Sequence, residues 1–534
     1  MERVISGISA SSGIGIGPAF SLADLTGSAR TAGDADSEAK ALSSAVKKAA
    51  LEIAELAAAQ EGEAAEILGF QVAMLEDDAL AEEAFALIET GAAADQAWRT
   101  AMAVEIDGYQ SSDDDYFRAR AADLSDIRDR VLAALFGVES DRPLPQGSII
   151  VADDLKPSQF LSADWTGGGA IVLGQGSPSS HVAMLARARS VPMVVGIGEA
   201  WHSLSGPLVV DGSTGLVTVK PSEATILEAK AKSGDKARQR QEAEQHILEP
   251  AVTKDGTLIK VMVNVAALSD LEGLPVDAVD GVGLTRTEFL VEQALHDEDA
   301  QAADYTALLQ WAGQKPVTIR TFDAGGDKPV KGYTVDGESN PFLGLRGIRL
   351  SLMHKDVFKI QLRAILRASM QGNAKIMLPM VTSPADLENA RELLHACRDE
   401  LISEGVLHAL PQFGIMVEVP AVALSPNMFD AAFYSIGSND LTQYATAAGR
   451  DNAASAKWAD VAHPGVLAMI AHVARHGVAT GKEVSLCGDA GGDPAVIGKL
   501  LHAGIRAVSV APGLVAMAKA AIRAVDLSVR EEAA

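Results

Sequence analysis

The chain has 534 residues, 48% of them hydrophobic and 22% charged; that length exceeds one core, so two or three domains are expected, and that balance excludes wholesale disorder. A net charge of −26 argues against nucleic acid and anionic membranes as partners and suits a basic protein, although acidity also serves solubility. Two cysteines, Cys397 and Cys487, give no disulfide framework and fit a reducing cytoplasm.

The opening MERVISGISASSGIGIGPAF reads as a strand and a turn. It lacks the basic-then-apolar order of a signal peptide, and no later run reaches membrane-spanning length, so a cytoplasmic protein without membrane insertion is expected. From about Ser37 to Phe136 the chain is rich in Ala, Leu and Glu, with apolar residues three and four apart, which predicts a bundle of three or four helices. The acidic runs Glu76-Asp77-Asp78 and Asp113-Asp114-Asp115 read as solvated faces or helix starts, with docking as the less expected use.

Strand text returns at SIIVADDL, GGAIVLGQG, PMVVGIG and GPLVVDGSTGLVTV, a small α/β unit that the bundle interrupts. Residues 223–250 are charged and free of strand signals, as in a helical linker. Eight short apolar runs follow, IKVMVNV, GVGL, PVTIRTFD, AKIMLPMV, FGIMVEV, AAFYSIG, EVSLCG and AVSV. Most are separated by enough helical text for a crossover, the plan of a (β/α)8 barrel. The predicted fold class is therefore multidomain α/β: an α/β domain with an inserted helical bundle, then a TIM barrel.

Chemistry in such barrels gathers where strands end. Here those ends carry Asn264, Arg286, Arg320 with Asp323, Glu418, Asn439-Asp440 and Cys487. Arginine forks suit phosphate or carboxylate oxygens, and Arg450 is a third candidate. Glu418 and Asp440 are hard oxygen donors suited to Mg²⁺ shared with a substrate. Cys487, small and ionisable at a strand end, suits proton transfer to or from carbon. Cys397, within LLHACRDEL, reads as a buried structural thiol. His181 follows GQGSPSS at the start of a helical segment, where backbone N–H groups favour phosphate and a neutral imidazole is a competent nucleophile. Ser179 and Ser180 add donors there, and Arg187 and Arg189 add positive charge.

SSHVAMLARARSVPMVVGIG, GVGLTRTEFL, TIRTFDAGGDKP, NPFLGLRGIR, VEVPA, SIGSNDLTQY and LCGDAGGD, in that order, resemble Enzyme I of the bacterial sugar phosphotransferase system. LEDD and RAADLSDIRDRVL are similar to that family's partner-binding subdomain. The resemblance implies that His181 accepts a phosphoryl group on Nε2 from phosphoenolpyruvate (PEP). It implies that Arg286, Arg320, Arg450 and Asn439 with Asp440 hold PEP, that Arg346 supports its phosphate, that Glu418 and Asp440 ligate Mg²⁺, and that Cys487 protonates the enolate to pyruvate.

It further implies a phosphohistidine domain over 1–20 and 143–222, an inserted HPr-binding subdomain over 21–142, a linker over 223–250 and a PEP-binding barrel over 251–534. The implied partners are an HPr-like phosphocarrier and a second copy of the chain, joined through the barrel. Three positions depart from the family pattern. Gly176-Ser177 with Pro178 replaces a Gly-Gly approach, Asp489 replaces a Glu, and Phe160 stands where a threonine hydrogen-bonding the active histidine is expected. A PEP-binding regulator of the same fold with impaired transfer is the alternative; loss of His181, Glu418, Asp440 or Cys487 would have favoured it.

Overall fold

Strand segments on either side of a helical insertion join in one sheet. The computed structural model describes the chain except residues 1, 22–29, 59, 61–62, 111–114, 138–144, 179, 289–293, 327, 329, 331, 336, 450–454, 456–457 and 530–534. It divides into two units, residues 1–236 and 237–534.

In the first unit β1 (Arg3–Ser6), β2 (Ile8–Ser11) and β3 (Ile14–Ser21) precede the helices. The opening therefore holds three strands rather than the single strand and turn expected from its text. β4 (Ile149–Ala152), β5 (Ala170–Leu173), β6 (Met193–Val195), β7 (Pro207–Asp211) and β8 (Leu216–Val219) follow them. The sheet order is β1-β8-β7-β3-β4-β5-β6-β2, with β3 to β6 parallel. Alternation along β4 sends Ile150 and Ala152 to the face that packs on the helices, and Ile149 and Val151 to the other face, as a pleated strand requires.

The insertion contains five described helices: α1 (Ala35–Ala58), α2 (Glu63–Glu76), α3 (Asp78–Glu89), α4 (Ala94–Gln110) and α5 (Asp115–Phe136). Three or four were expected. The extra boundary is made by Asp77, whose extended backbone and side chain, accepting from Ala79 N, start a new helix inside the acidic run. A second boundary follows Thr90, where Gly91 takes φ 99°. Asp113 and Asp114 lie outside the described residues. Leu42, Ile53, Trp98, Leu124 and Val131 share one core with Phe160, Ile171 and Val182, so the bundle and the sheet bury one another. Three further helices follow β4: α6 (Pro157–Leu161), α7 (His181–Ala188) and α8 (Glu223–Gln245). The division between the units falls within α8.

The second unit is a closed barrel of eight parallel strands: β10 (Leu258–Val265), β11 (Val282–Thr285), β12 (Pro316–Arg320), β13 (Asn373–Leu378), β14 (Gln412–Val417), β15 (Phe433–Gly437), β16 (Glu483–Cys487) and β17 (Ala507–Val510). Each pairs with the next, and β17 closes onto β10. All eight strands fall on the eight apolar runs. A two-residue β9 (Ala251–Val252) pairs antiparallel with β10. Strands such as β13, β14 and β15 are buried along almost their whole length, because helices cover them outside and side chains fill the inside. Among the described residues no helix is long and apolar enough to cross a membrane.

Candidate active site

The barrel brings its predicted site residues to the C-terminal ends of five of its strands. Arg286 follows β11, Arg320 ends β12, Glu418 follows β14, Asn439 and Asp440 open the helix Ser438–Thr446 after β15, and Cys487 ends β16. Arg450 lies outside the described residues.

Asp323 is the hub. Fully buried, it faces Arg320 Nη1 at 3.0 Å, Arg346 Nε and Nη2 at 3.0 and 2.9 Å, and Lys328 Nζ at 2.7 Å. Burial alone would raise its pKa, but the three cations hold it well below the usual carboxylate range. Arg320 also donates from Nη2 to Glu288 Oε1 at 2.7 Å, and Asp323 N donates to the same oxygen at 2.9 Å. Arg346 completes the chain with bonds to both Asp440 oxygens, at 2.9 and 3.2 Å. Its fork is therefore turned on two carboxylates and fixes Asp440. Arg320 Nε is buried and has no partner among the described residues, whereas Arg286 is half-buried. Arg286 lies close enough to Cys487 to act on it electrostatically.

Glu418 is fully buried. Burial, with the Asp323 and Asp440 charges, pushes its carboxyl up to about 7. Its Oε1 accepts from Met380 N, and its Oε2 has no partner among the described residues. Met380 reaches it with φ 54°, a left-handed backbone that costs a non-glycine residue about 1–2 kcal/mol. The orphaned buried Glu418 Oε2, beside the Asp440 carboxylate, fits a divalent cation held by Glu418 and Asp440. Among the described residues no group of three or more His, Cys, Asp or Glu side chains has metal-holding geometry, so such an ion would need substrate or water oxygens as well.

Cys487 packs with Leu284, Met377, Met416 and Phe433 and accepts from Ser435 Oγ at 3.1 Å. Burial pushes its thiol up to about 11, so sulfur keeps its proton near neutrality. Gly488 follows with φ 146°, and a Cβ there would fall 2.2 Å from Ser438 Oγ; only glycine lets this turn approach the Ser438-Asn439 end of β15 so closely. Asp489, though a methylene shorter than the family's Glu, still accepts from Asn439 Nδ2 at 3.0 Å and donates its N–H to Asn439 Oδ1 at 3.2 Å. Cys397 is buried, its thiol pushed up to about 12 by burial.

In the first unit His181 is the first residue of α7, and Ser180 caps the helix by accepting from Ala183 N at 3.2 Å. The ring's Nδ1 faces Asp123 of α5 at 3.4 Å, and Nε2 has no partner among the described residues. Arg187 is tied to the carbonyls of Ala10 and Pro178, and Arg189 bonds Gln60 and lies over the Phe160 ring. Arg187 thus braces the loop before His181, whereas Arg189 packs on Gln60 and Phe160. Ser179 lies outside the described residues. Sequence reasoning did not single out Asp123, Glu288, Lys328 or Ser435. Glu288, Lys328, Ser435 and Asp123 stand inside the TRTEFL, AGGDKP, SIGSNDLTQY and RAADLSDIRDRVL motifs, which were the available signal.

A capped helix starting on histidine, and a barrel whose strand ends gather arginines, carboxylates and a protonated thiol, define a class: a multidomain phosphotransfer enzyme that uses PEP. Comparison with known proteins narrows it. Three family models match in chain order: PEP-utilising enzyme, N-terminal, at residues 6–120; mobile domain, at 144–215; and PEP-binding domain, at 239–527. The chain is 35% identical over its full length to the phosphoenolpyruvate-protein phosphotransferase of Geobacillus stearothermophilus, covering 94% of that protein. It is 34% identical to that of Priestia megaterium, over 98% of this chain and 94% of the other. With the multiphosphoryl transfer protein of Rhodobacter capsulatus it shares 38% identity over 84% of this chain and 55% of that one. The chain belongs to the phosphoenolpyruvate-protein phosphotransferase family.

Proposed function

We propose that the protein transfers the phosphoryl group of PEP to His181 Nε2, releasing pyruvate, and then hands it to a histidine of an HPr-like carrier. The observation that carries the reading is the joint presence of an Nε2 without a partner among the described residues in the first unit and the arginine, carboxylate and thiol array at the barrel's strand ends. Arg286, Arg320 through its unpartnered Nε, Asn439 and Arg450 would bind the phosphate and carboxylate of PEP. Arg346, held by Asp323, would orient Asp440. Glu418 and Asp440 would hold Mg²⁺, which when bound withdraws charge from substrate oxygens.

The Nε2 lone pair attacks phosphorus, and the bond from phosphorus to the enol oxygen breaks with its electron pair passing to the enolate. Cys487 gives its thiol proton to the enolate's terminal carbon, forming pyruvate, and solvent returns a proton to sulfur. Protonation traps the leaving group, while positive charge offsets that of a loose transition state.

His181 and the PEP residues belong to different units, so the reaction requires them to meet; residues 223–250 are the proposed hinge. The helical insertion, 21–142, is the proposed carrier-docking subdomain, with its acidic surface toward a basic partner. Cytoplasmic location and a homodimer through the barrel complete the reading. The alternative of a regulator with impaired transfer has no observation in its favour. The test is to follow label from [³²P]PEP: it should pass through the wild-type protein to a carrier histidine and should neither load nor pass with His181→Ala. Label on wild-type protein at any other residue would overturn the assignment.

A further inference from the structure

We propose that Asp123 is the positioning residue of His181: it holds the imidazole as the Nδ1–H tautomer and so reserves the Nε2 lone pair for phosphorus. This inference rests on the reading of His181 as phosphoryl acceptor. The position that the family pattern gives to a threonine anchor is occupied by Phe160. That side chain is fully buried, stacks on Trp165 with ring centroids 5.1 Å apart, and offers no polar atom. The anchoring task has moved to another element. Both oxygens of Asp123 lie 3.4 Å from His181 Nδ1, and no other described residue approaches either ring nitrogen within hydrogen-bonding distance. Contacts of this length are common in catalytic sites before substrate arrives and shorten in the reacting complex.

Asp123 is itself fixed. Its carboxylate is fully buried and paired with Arg120 Nη1 at 3.1 Å, and that guanidinium lies 4.3 Å from the centre of the Phe70 ring. One turn further along α5, Asp126 accepts from Ser158 Oγ at 2.6 Å and from Ser158 N at 3.1 Å. This staples α5 to α6, the helix that carries Phe160. The helix that carries Asp123 is thus held to the helix that carries Phe160.

The chemistry needs such a group twice. A neutral imidazole has one N–H, and only the tautomer with that hydrogen on Nδ1 leaves Nε2 nucleophilic. Once the bond from Nε2 to phosphorus forms while Nδ1 keeps its proton, the ring is cationic, and an adjacent carboxylate offsets that charge.

The test uses the full chain with ¹⁵N-labelled histidine at mildly alkaline pH, where imidazole is neutral, first without PEP. The His181 ring, assigned by its loss in His181→Gln, should show a protonated Nδ1 and a bare Nε2. Asp123→Ala should shift it toward the Nε2–H form and slow phosphorylation by PEP about 10- to 100-fold, the range for removing an outer partner of a functional histidine. It should also place part of the phosphoryl group on Nδ1, which ³¹P shifts distinguish.

Asp123→Glu, which keeps the carboxylate, should keep the Nδ1–H form and most of the rate. A merely structural Asp123 would lower thermal stability and leave tautomer and phosphorylation site unchanged. The proposal is overturned by an Nε2–H ring in the wild type, or by an Asp123→Ala protein with wild-type tautomer and rate. Should that variant not fold, an Nε2–H ring in Asp123→Glu would overturn it equally. A wild-type protein that takes no phosphate from PEP would instead refute the acceptor reading, and the tautomer measurement, which needs no PEP, would still decide the role of Asp123.

Discussion

Replacing Cys487 by alanine removes the proposed acid and little else. The side chain is small, 2% exposed and packed among Leu284, Met377, Met416 and Phe433, so the loss of packing costs about 1 kcal/mol. Its single polar contact among the described residues is the hydrogen from Ser435, so PEP affinity should move by less than about 3-fold. Turnover is another matter. A positioned general acid contributes about 10²- to 10⁴-fold, or about 3–5 kcal/mol of barrier. With the thiol pushed up to about 11 by burial, only about one molecule in 10,000 carries thiolate at about pH 7, so the donor is nearly always loaded.

The sign with pH follows. The donor form is present below the raised value and is lost only as pH approaches it, so the wild type should show no loss of pyruvate formation from this group between about pH 7 and about pH 9. Steady-state pyruvate release, with PEP affinity measured alongside, checks both statements. Turnover of Cys487→Ala within about 3-fold of wild type would refute the proton-donor role outright.

Three further outcomes follow from the same geometry. Asp323→Asn leaves buried Arg320 and Arg346 short of a counter-charge, so the barrel should lose about 3–5 kcal/mol, seen as a fall of about 5–10 °C in its melting temperature. Arg286→Ala removes a half-buried guanidinium at a strand end, with no internal ion pair among the described residues to break. Its KM for PEP should rise about 10- to 100-fold with the melting temperature within about 2 °C of wild type. Chelation of divalent cations should stop pyruvate release and added Mg²⁺ should restore it, whereas Glu418→Gln should need far more Mg²⁺ for the same rate.

The barrel was legible because each strand of a parallel, doubly covered sheet must be a short apolar run, and β-branched text between helical stretches meets that need. The helix count of the insertion was not, because Glu76-Asp77-Asp78 reads equally as solvated surface and as a cap, and only the backbone at Asp77 separates the two. Strand-end residues such as Glu418 and Cys487 stood out by position alone. Their settings did not. Arg346 joins Asp323 to Asp440 across 23 and 94 residues of chain, and His181 meets Asp123 across 58; such pairings are set by the fold and leave no local periodicity.

The central claim is that His181 carries the phosphoryl group between PEP and the carrier, and one measurement addresses it most directly. Intact-protein mass is read after incubation with PEP and Mg²⁺, for the wild type and for His181→Ala in parallel. The account predicts a single acid-labile phosphoryl adduct on the wild type and none on the variant. An equal adduct on the variant, or none on a wild type that demonstrably binds PEP, would contradict it.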